Sequence, residues 1–144
     1  MGDIRAMTKK DKDAIVEMMR EFYASPAVLS NGSENIFQAD VDACVAGSPY
    51  VEGYVFERDG DIRGYAMVAK SFSTEFGKPC VWIEDLYIKA PYRGMGIASG
   101  FLEFIETIYP HAVFRLEVEE ENVRAVEVYR KHGFAFLPYK EMVK

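Results

Sequence analysis

The sequence predicts a mixed α/β fold in which one central, mostly antiparallel sheet is flanked by helices. Three observations support this prediction. The hydrophobic period changes from helical to strand-like and back along the chain. A hairpin signature joins two strand-like runs in the middle of the chain, and later a glycine-bearing loop connects a strand to an amphipathic helix. Hairpins followed by crossover helices are typical of a mixed sheet covered by helices.

The first part of the chain predicts one short strand and two helices. Residues 3–7 have a strand-like pattern, and Thr8 with Asp11 forms a helix-start signal. A polar loop over residues 30–33 precedes a second helix over 36–46. The first helix ends before Pro26 and presents an apolar stripe, whose members are Ile15, Met18, Met19 and Phe22.

The rest of the chain alternates strands and helices. Strands over 54–57 and 62–68 are joined by a turn at Asp59-Gly60, and residues 71–79 are predicted to be a loop. A strand over 81–88 leads through the glycine loop into a helix over 97–109. A strand over 113–118, a helix over 122–132 ending at Gly133 and an extended segment over 134–143 complete the order β-α-α-β-β-β-α-β-α-β.

Composition limits the class of protein and its partners. The 144 residues, 49% of them hydrophobic, fit a single domain over 1–144 with a packed core. A net charge of −6 argues against nucleic acid as a partner; it is compatible with a cationic substrate, although many soluble proteins are acidic. Cys44 and Cys80 predict neither a disulfide framework nor a metal site. Without a long apolar run or a signal peptide, we expect a cytoplasmic protein with no membrane association.

Residues 88–99 carry the strongest functional signal. They lie between a predicted strand and the start of a helix and contain Gly94 and Gly96. Unpaired amides at a helix N-terminus, together with the helix dipole, bind phosphate groups. Glycine lacks a Cβ, so a phosphate can approach the backbone closely. The loop therefore predicts a site for a phosphate or a pyrophosphate.

Two ligand classes fit such a loop. Gly94 and Gly96, with Ser99, partly match the dinucleotide fingerprint, and Glu117 or Glu119 could serve as its acidic ribose ligand. That fingerprint belongs near the start of a parallel βαβ series, whereas here it follows a β-hairpin. The better match is the pattern Arg-x-x-Gly-x-Ala, on Arg93, Gly96 and Ala98.

This pattern resembles the acetyl-CoA signature of the GNAT N-acetyltransferase superfamily. A second family pattern matches without a gap on Asn122, Ala125, Tyr129, Gly133 and Phe134. The segments 82–88 and 90–94 look most like those of the diamine and polyamine acetyltransferases. The resemblance implies a sheet of six to seven strands with about four helices, acetyl-CoA as cofactor, no metal and a homodimer.

The resemblance also implies where acetyl-CoA binds. The pantetheine arm is expected along Leu86, Tyr87 and Ile88 beside a β-bulge, where an amide of Leu86 or Tyr87 stabilises the oxyanion. In helix 122–132 it implies contacts from Asn122, Ala125 and Tyr129, although Asn122 also suits a plain N-cap. The pyrophosphate is expected at Arg93, Gly94, Met95, Gly96, Ile97, Ala98 and Ser99.

Glu84 and Tyr129 are the candidate catalytic residues. An ammonium must lose a proton before it attacks, and the departing thiolate must gain one. In strict alternation Glu84 shares an apolar face with Trp82, Leu86 and Ile88, which raises its pKa and suits a base, whereas Asp85 points to the opposite face. Tyr129 faces inward and is the candidate acid. The alternatives are a surface or salt-bridged Glu84 and a core tyrosine.

The sequence therefore predicts an N-acetyltransferase that moves an acetyl group from acetyl-CoA directly to the primary amine of a small molecule. The acceptor class is a polyamine, a diamine or an amino-acid-like compound. Acetylation of a protein or peptide and a non-catalytic acyl-CoA-binding domain are the alternatives.

Overall fold

A computed structural model describes residues 3–29 and 32–144, so the predicted loop at 30–33 lies partly outside the described residues. The strands are β1 (Asp3–Ala6), β2 (Val51–Arg58), β3 (Asp61–Ser73), β4 (Lys78–Ile88) and β5 (Val113–Leu116). The α-helices are α1 (Lys12–Tyr23), α2 (Glu34–Val45), α3 (Ile97–Ile108) and α4 (Val123–Lys131). Single 3-10 turns over Lys9–Asp11 and Ala90–Tyr92 precede α1 and the glycine loop.

The described strands form one sheet in the order β1-β2-β3-β4-β5. The pairs from β1 to β4 are antiparallel, and β4 pairs with β5 in parallel. This confirms the mixed, mostly antiparallel sheet flanked by four α-helices, but five strands are present among the described residues, fewer than the six or seven expected. The predicted extended segment 134–143 is not a strand. Pro138 has no backbone N–H to donate to a neighbouring strand, and β5 is only four residues long. Both features disfavour a further paired strand here.

The predicted loop over 71–79 is wrong for most of its length. β3 continues to Ser73 and β4 begins at Lys78, and these two residues are paired. The Gly77 amide donates to the Ser73 carbonyl over 2.8 Å and closes a short turn. Ser71 and Ser73, which the prediction placed in a loop, pair with Cys80 and Lys78, a register that composition alone does not reveal.

The sheet separates two apolar cores. On one face α1 and α2 cover Val55, Tyr65, Met67 and Tyr87. On the other face α3 packs its buried stripe against Phe56, Val68, Val81 and Ile83; the stripe consists of Ile97, Phe101 and Ile105 with Leu102. This arrangement holds β4 between the two layers, which fixes the strand that precedes the glycine loop.

Gly64 of β3 lies where a side chain would have no room against β4. A Cβ at this position would clash with the carbonyl oxygen of Tyr87 and lie 2.9 Å from the Phe56 ring. Because the first obstacle is backbone, Gly64→Ala should push the strands apart and lower the free energy of unfolding by about 1–3 kcal/mol. Urea denaturation measures the loss. Gly53→Ala is the matched control with a smaller expected loss, since its Cβ meets the flexible side chain of Met7; equal losses would contradict the prediction.

Candidate active site

β4 and β5 diverge where the site begins. Their parallel pairing runs from Cys80 with Val113 to Ile83 with Leu116, and no described residue continues it. Beyond Ile83, β4 remains paired with β3 on one side only. The edge of β4 that faces away from β3 is therefore open over Leu86, Tyr87 and Ile88, the positions predicted to hold the pantetheine arm.

A cavity of about 840 Å³ lies beside this open edge, between the glycine loop and α4. Of the residues predicted to bind the cofactor, Met95 alone is absent from its lining, and the Met95 residue is 63% exposed. The prediction that Met95 binds the pyrophosphate concerns its backbone amide and not its side chain. The others come together along the cavity: Leu86, Tyr87, Ile88, Arg93, Gly94, Gly96, Ile97, Ala98, Ser99, Asn122, Ala125 and Tyr129.

The glycine loop is shaped to admit a ligand close to the backbone. Gly94 and Gly96 have φ of 78° and 82°, a region that favours glycine. No atom lies within 4 Å of a Cβ built at either position, so the space against the backbone is open. Gly96 is the N-cap of α3, whose first amides have no intrahelical partner. This loop fits a pyrophosphate.

The Arg93 side chain holds the loop against the end of β4. Its Nε donates to the Ile88 carbonyl over 2.8 Å, and its guanidinium lies 5.5 Å from the centre of the Tyr87 ring. In both contacts the guanidinium interacts with groups of the protein itself. The hydrogen bond uses Nε, so the two terminal amino groups of Arg93 are left to contact a phosphate.

Glu84 occupies a β-bulge. Met67 pairs with Asp85 but the next residue, Val68, pairs with Ile83, so Glu84 is the extra residue of β4. The bulge reverses the alternation: Ile83 and Leu86 both pack in the α3 core. The predicted common face of Trp82, Glu84, Leu86 and Ile88 is therefore wrong, because that prediction assumed an unbroken strand.

The surroundings of Glu84 suit a base. The residue is exposed overall, yet desolvation by the nearby protein raises the pKa of its carboxyl above the ordinary value. The negative charges of Asp85, Glu141 and Asp40 raise it further. Glu84 therefore holds a proton to higher pH than an ordinary glutamate does.

Asp85 has a different role from its neighbour. It is only 4% exposed and accepts hydrogen bonds from Tyr65 Oη at 2.7 Å and Tyr23 Oη at 3.0 Å. A carboxylate enclosed in this way is not placed to take a proton from a ligand. The choice of Glu84 over Asp85 as the base stays a prediction.

Tyr129 lies near the C-terminal end of α4. The helix ends in a Schellman motif, in which the amides of Gly133 and Phe134 donate to the Arg130 and Tyr129 carbonyls, each over 3.0 Å. The Tyr129 and Phe134 rings meet edge to face at 5.9 Å. Burial raises the pKa of Tyr129 above its ordinary value, which keeps the phenol protonated near neutral pH.

A second cavity of about 600 Å³ also has Tyr129 in its lining. Trp82, Arg115 and Glu141 are among its lining residues, and the Arg115 guanidinium lies 4.7 Å from the centre of the Trp82 ring. Tyr129 therefore forms part of the wall of each cavity.

Sequence reasoning missed part of the wall of the larger cavity. Phe22 and residues 25–27, at the end of α1, line it opposite the glycine loop. The apolar stripe predicts Phe22 as a core residue, and no residue of this segment could be assigned to a binding role by alignment with similar proteins. Tyr92 was also missed; the Arg63 guanidinium lies 4.5 Å from the centre of its ring.

Among residues 3–29 and 32–144, no group of three or more His, Cys, Asp or Glu side chains is arranged to hold a metal ion. In the same residues, no helix combines the length and apolar character needed to cross a bilayer.

Comparison with known sequences gives one family and several relatives. The family described as "Acetyltransferase (GNAT) family" matches residues 13–134. The thialysine N-epsilon-acetyltransferase of Bos taurus is 33% identical over 75 residues, which cover 50% of this chain but only 44% of that protein. The spermine/spermidine N(1)-acetyltransferase of Bacillus subtilis (strain 168) is 25% identical over 141 residues, covering 93% of this chain and 88% of the relative.

Comparison with solved structures shows the same fold. A possible acetyltransferase from Clostridium difficile 630 superposes with a TM-score of 0.83 at 20% identity, covering 99% of this chain and 95% of that one. The aminoglycoside N-acetyltransferase AAC(6')-Iy, solved in complex with CoA, gives a TM-score of 0.80 at 15% identity, with 100% and 94% covered.

Proposed function

The chain belongs to the acetyltransferase (GNAT) family, and from this premise we propose that it is an acetyl-CoA-dependent N-acetyltransferase. Its acceptor is the primary amine of a small molecule of the polyamine, diamine or amino-acid-like class. The observation that carries the proposal is that Tyr129 lines two cavities, one of which is also lined by the glycine loop. Such an arrangement suits the meeting of two substrates.

The larger cavity fits CoA, which when bound supplies an activated acetyl thioester. The amides of residues 94–99 hold the pyrophosphate at the start of α3. The open edge of β4 at Leu86, Tyr87 and Ile88 pairs with the amide groups of pantetheine. An amide of Leu86 or Tyr87 then donates to the thioester oxygen as negative charge develops there.

Two residues move the protons of the reaction. Glu84 takes a proton from the incoming ammonium, directly or through water, and its raised pKa brings its basicity closer to that of the amine. Tyr129 gives its phenolic proton to the sulfur as the thiolate leaves. The raised pKa of Tyr129 keeps that proton available across the neutral range.

The acceptor class is supported by charge and by the relatives. The net charge of −6 favours the approach of cations, and Glu84 lies within electrostatic reach of Asp85, Asp40 and Glu141. The relatives named above are described as acetyltransferases of spermine and spermidine, of thialysine and of aminoglycosides. All of these names describe transfer to nitrogen.

A screen for thiol release from acetyl-CoA tests the proposal. The protein is offered polyamines, diamines, amino acids, aminoglycosides and peptides, and free thiol is measured against a reaction without amine. We expect release that depends on a small primary amine. Release with peptides alone would support the protein-acetylating alternative, and CoA binding without any amine-dependent release would support a non-catalytic domain.

The glycine loop makes a separate prediction about affinity. Gly96→Ala adds a Cβ to a left-handed conformation that costs about 1–2 kcal/mol, so the loop should shift and binding of CoA should weaken about tenfold. Isothermal titration calorimetry measures the change. Gly47→Ala is the matched control, because Gly47 has φ of 77°, open space around it and no place in the cavity lining. Unchanged affinity in Gly96→Ala would contradict the anchoring role.

We also propose that the protein acts as a homodimer. The outer edge of β5 pairs with no described strand, and apolar side chains of the C-terminal segment are exposed close by. These residues are Phe136, Leu137, Tyr139, Met142 and Val143. Light scattering measures the mass, and a monomeric mass would reject this part of the proposal.

A further inference from the structure

A buried carboxylate at the bulge is held from two different elements. Asp85 accepts one hydrogen bond from Tyr65 of β3 at 2.7 Å and another from Tyr23 of α1 at 3.0 Å. At 4% exposure it is among the few buried polar residues of the described chain. Burying a carboxylate costs free energy unless its oxygens accept hydrogen bonds. The burial of Asp85 therefore depends on the two phenols that donate to it.

A second link joins α1 to β4 just beyond the bulge. Tyr87 Oη donates to a Glu21 carboxylate oxygen over 2.6 Å. Between the two links lies Phe22, whose ring centre is 5.6 Å from that of Tyr87 and 6.4 Å from that of Tyr65. Phe22 lines the larger cavity. The same set of contacts therefore fixes the end of α1, one cavity wall and the bulged strand.

We propose that Tyr23, Tyr65 and Asp85 form a positioning network that holds the β4 bulge and sets the direction and charge surroundings of Glu84. The bulge leaves Glu84 without a direct partner across the ladder, so its position depends on the neighbours that pin Asp85. This inference rests on the proposed function, since it assigns the network to the proposed base. None of the three residues is proposed to contact substrate.

The charge of Asp85 gives the network an electrostatic effect as well. Desolvation raises the pKa of Asp85, and the hydrogen bonds from Tyr65 and Tyr23 act in the opposite direction by stabilising its charged form. The charged form in turn raises the pKa of Glu84. The other titratable groups facing this pair are Asp40 and Cys44 of α2 and Glu141 of the C-terminal segment.

Carboxyl titration tests the network without using activity. Protein labelled with ¹³C at the Glu side-chain carboxyl is titrated by NMR, and the Glu84 signal is the one absent in Glu84→Gln. In Asp85→Asn the neighbouring negative charge is gone, so we expect the Glu84 midpoint to move to lower pH than in the wild type. Tyr109→Phe is the control, because it removes a 2.6 Å bond to Glu52 in another part of the sheet. An unmoved midpoint in Asp85→Asn would overturn the proposal.

Kinetics test the positioning role. Tyr65→Phe should lower kcat about fivefold to tenfold while the KM for acetyl-CoA stays within about twofold. The double variant with Asp85→Asn should be no slower than Asp85→Asn alone, since Tyr65 acts through Asp85. If the two substitutions lower kcat by independent factors that multiply in the double variant, the proposed network is overturned. If the wild type releases no thiol with any amine, the proposed function fails, and the NMR titration still decides the inference.

Discussion

Replacing Glu84 with glutamine is expected to lower kcat/KM for the amine by about 10²–10³-fold near neutral pH, within the usual contribution of general-base catalysis. Glutamine keeps the shape of the side chain at the bulge but cannot take a proton. The amine acceptors proposed here are almost wholly protonated at neutral pH. Without the base, nearly every acceptor molecule must lose its proton by another route before it can attack. The rate should recover partly at high pH, where more amine arrives neutral.

The same prediction fixes the direction in which kcat/KM changes with pH. The pKa of Glu84 is raised, so the acid limb of kcat/KM in the wild type should lie above the range of an ordinary carboxyl. Below that pKa Glu84 is protonated and activity falls; above it the carboxylate is free to act. Glu84→Gln should lack this limb. Glu103→Gln on the exposed side of α3 is the control, and superimposable profiles for Glu84→Gln and wild type would exclude Glu84 as the base.

The parts of the fold that depend on local sequence could be predicted. The stripe of α3, the glycine loop before it and Gly133 at the end of α4 each lie within one short segment, where spacing alone decides the outcome. The family resemblance implied a bulge beside Leu86, Tyr87 and Ile88, but its position at Glu84 could not be predicted from local spacing. It depends on the register between β3 and β4, in which Met67 is paired with Asp85, and no pattern within β4 shows the extra residue.

The same division applies to the candidate site. The residues of 93–99 and 122–134 belong to contiguous motifs, and the structure brings most of them to one cavity. Tyr23 and Tyr65 come from distant parts of the chain: the packing of α1 against the sheet places Tyr23 beside Asp85, and the pairing of β3 with β4 places Tyr65 there. The helical stripe predicts Phe22 as a core residue, but no role is assigned from the sequence to the side chains of Tyr23 and Tyr65, the second of which is fully buried. The hydroxyl groups of Tyr23 and Tyr65, which donate to Asp85, do not alter the hydrophobic pattern of the sequence. That pattern therefore could not predict the contact.

Replacing Tyr129 with phenylalanine is expected to lower kcat by about 10–100-fold, with the KM for acetyl-CoA changed by no more than about twofold. Phenylalanine keeps the ring that meets Phe134 at 5.9 Å, so the packing of α4 should survive. The substitution removes the one proton that the proposed mechanism delivers to the sulfur. Because the phenol acts on the departing thiolate, its loss should slow turnover without weakening the binding of CoA.

The measurement must isolate the chemical step. If product release limits kcat, a slower proton transfer would be hidden in steady-state rates, so single-turnover acetylation with enzyme in excess is the appropriate assay. Tyr50→Phe is the matched control, since Tyr50 is 73% exposed and lines neither cavity. An unchanged single-turnover rate in Tyr129→Phe would mean that the thiolate leaves without this acid. In that case Tyr129 would still line both cavities, but the residue would act there as a wall only.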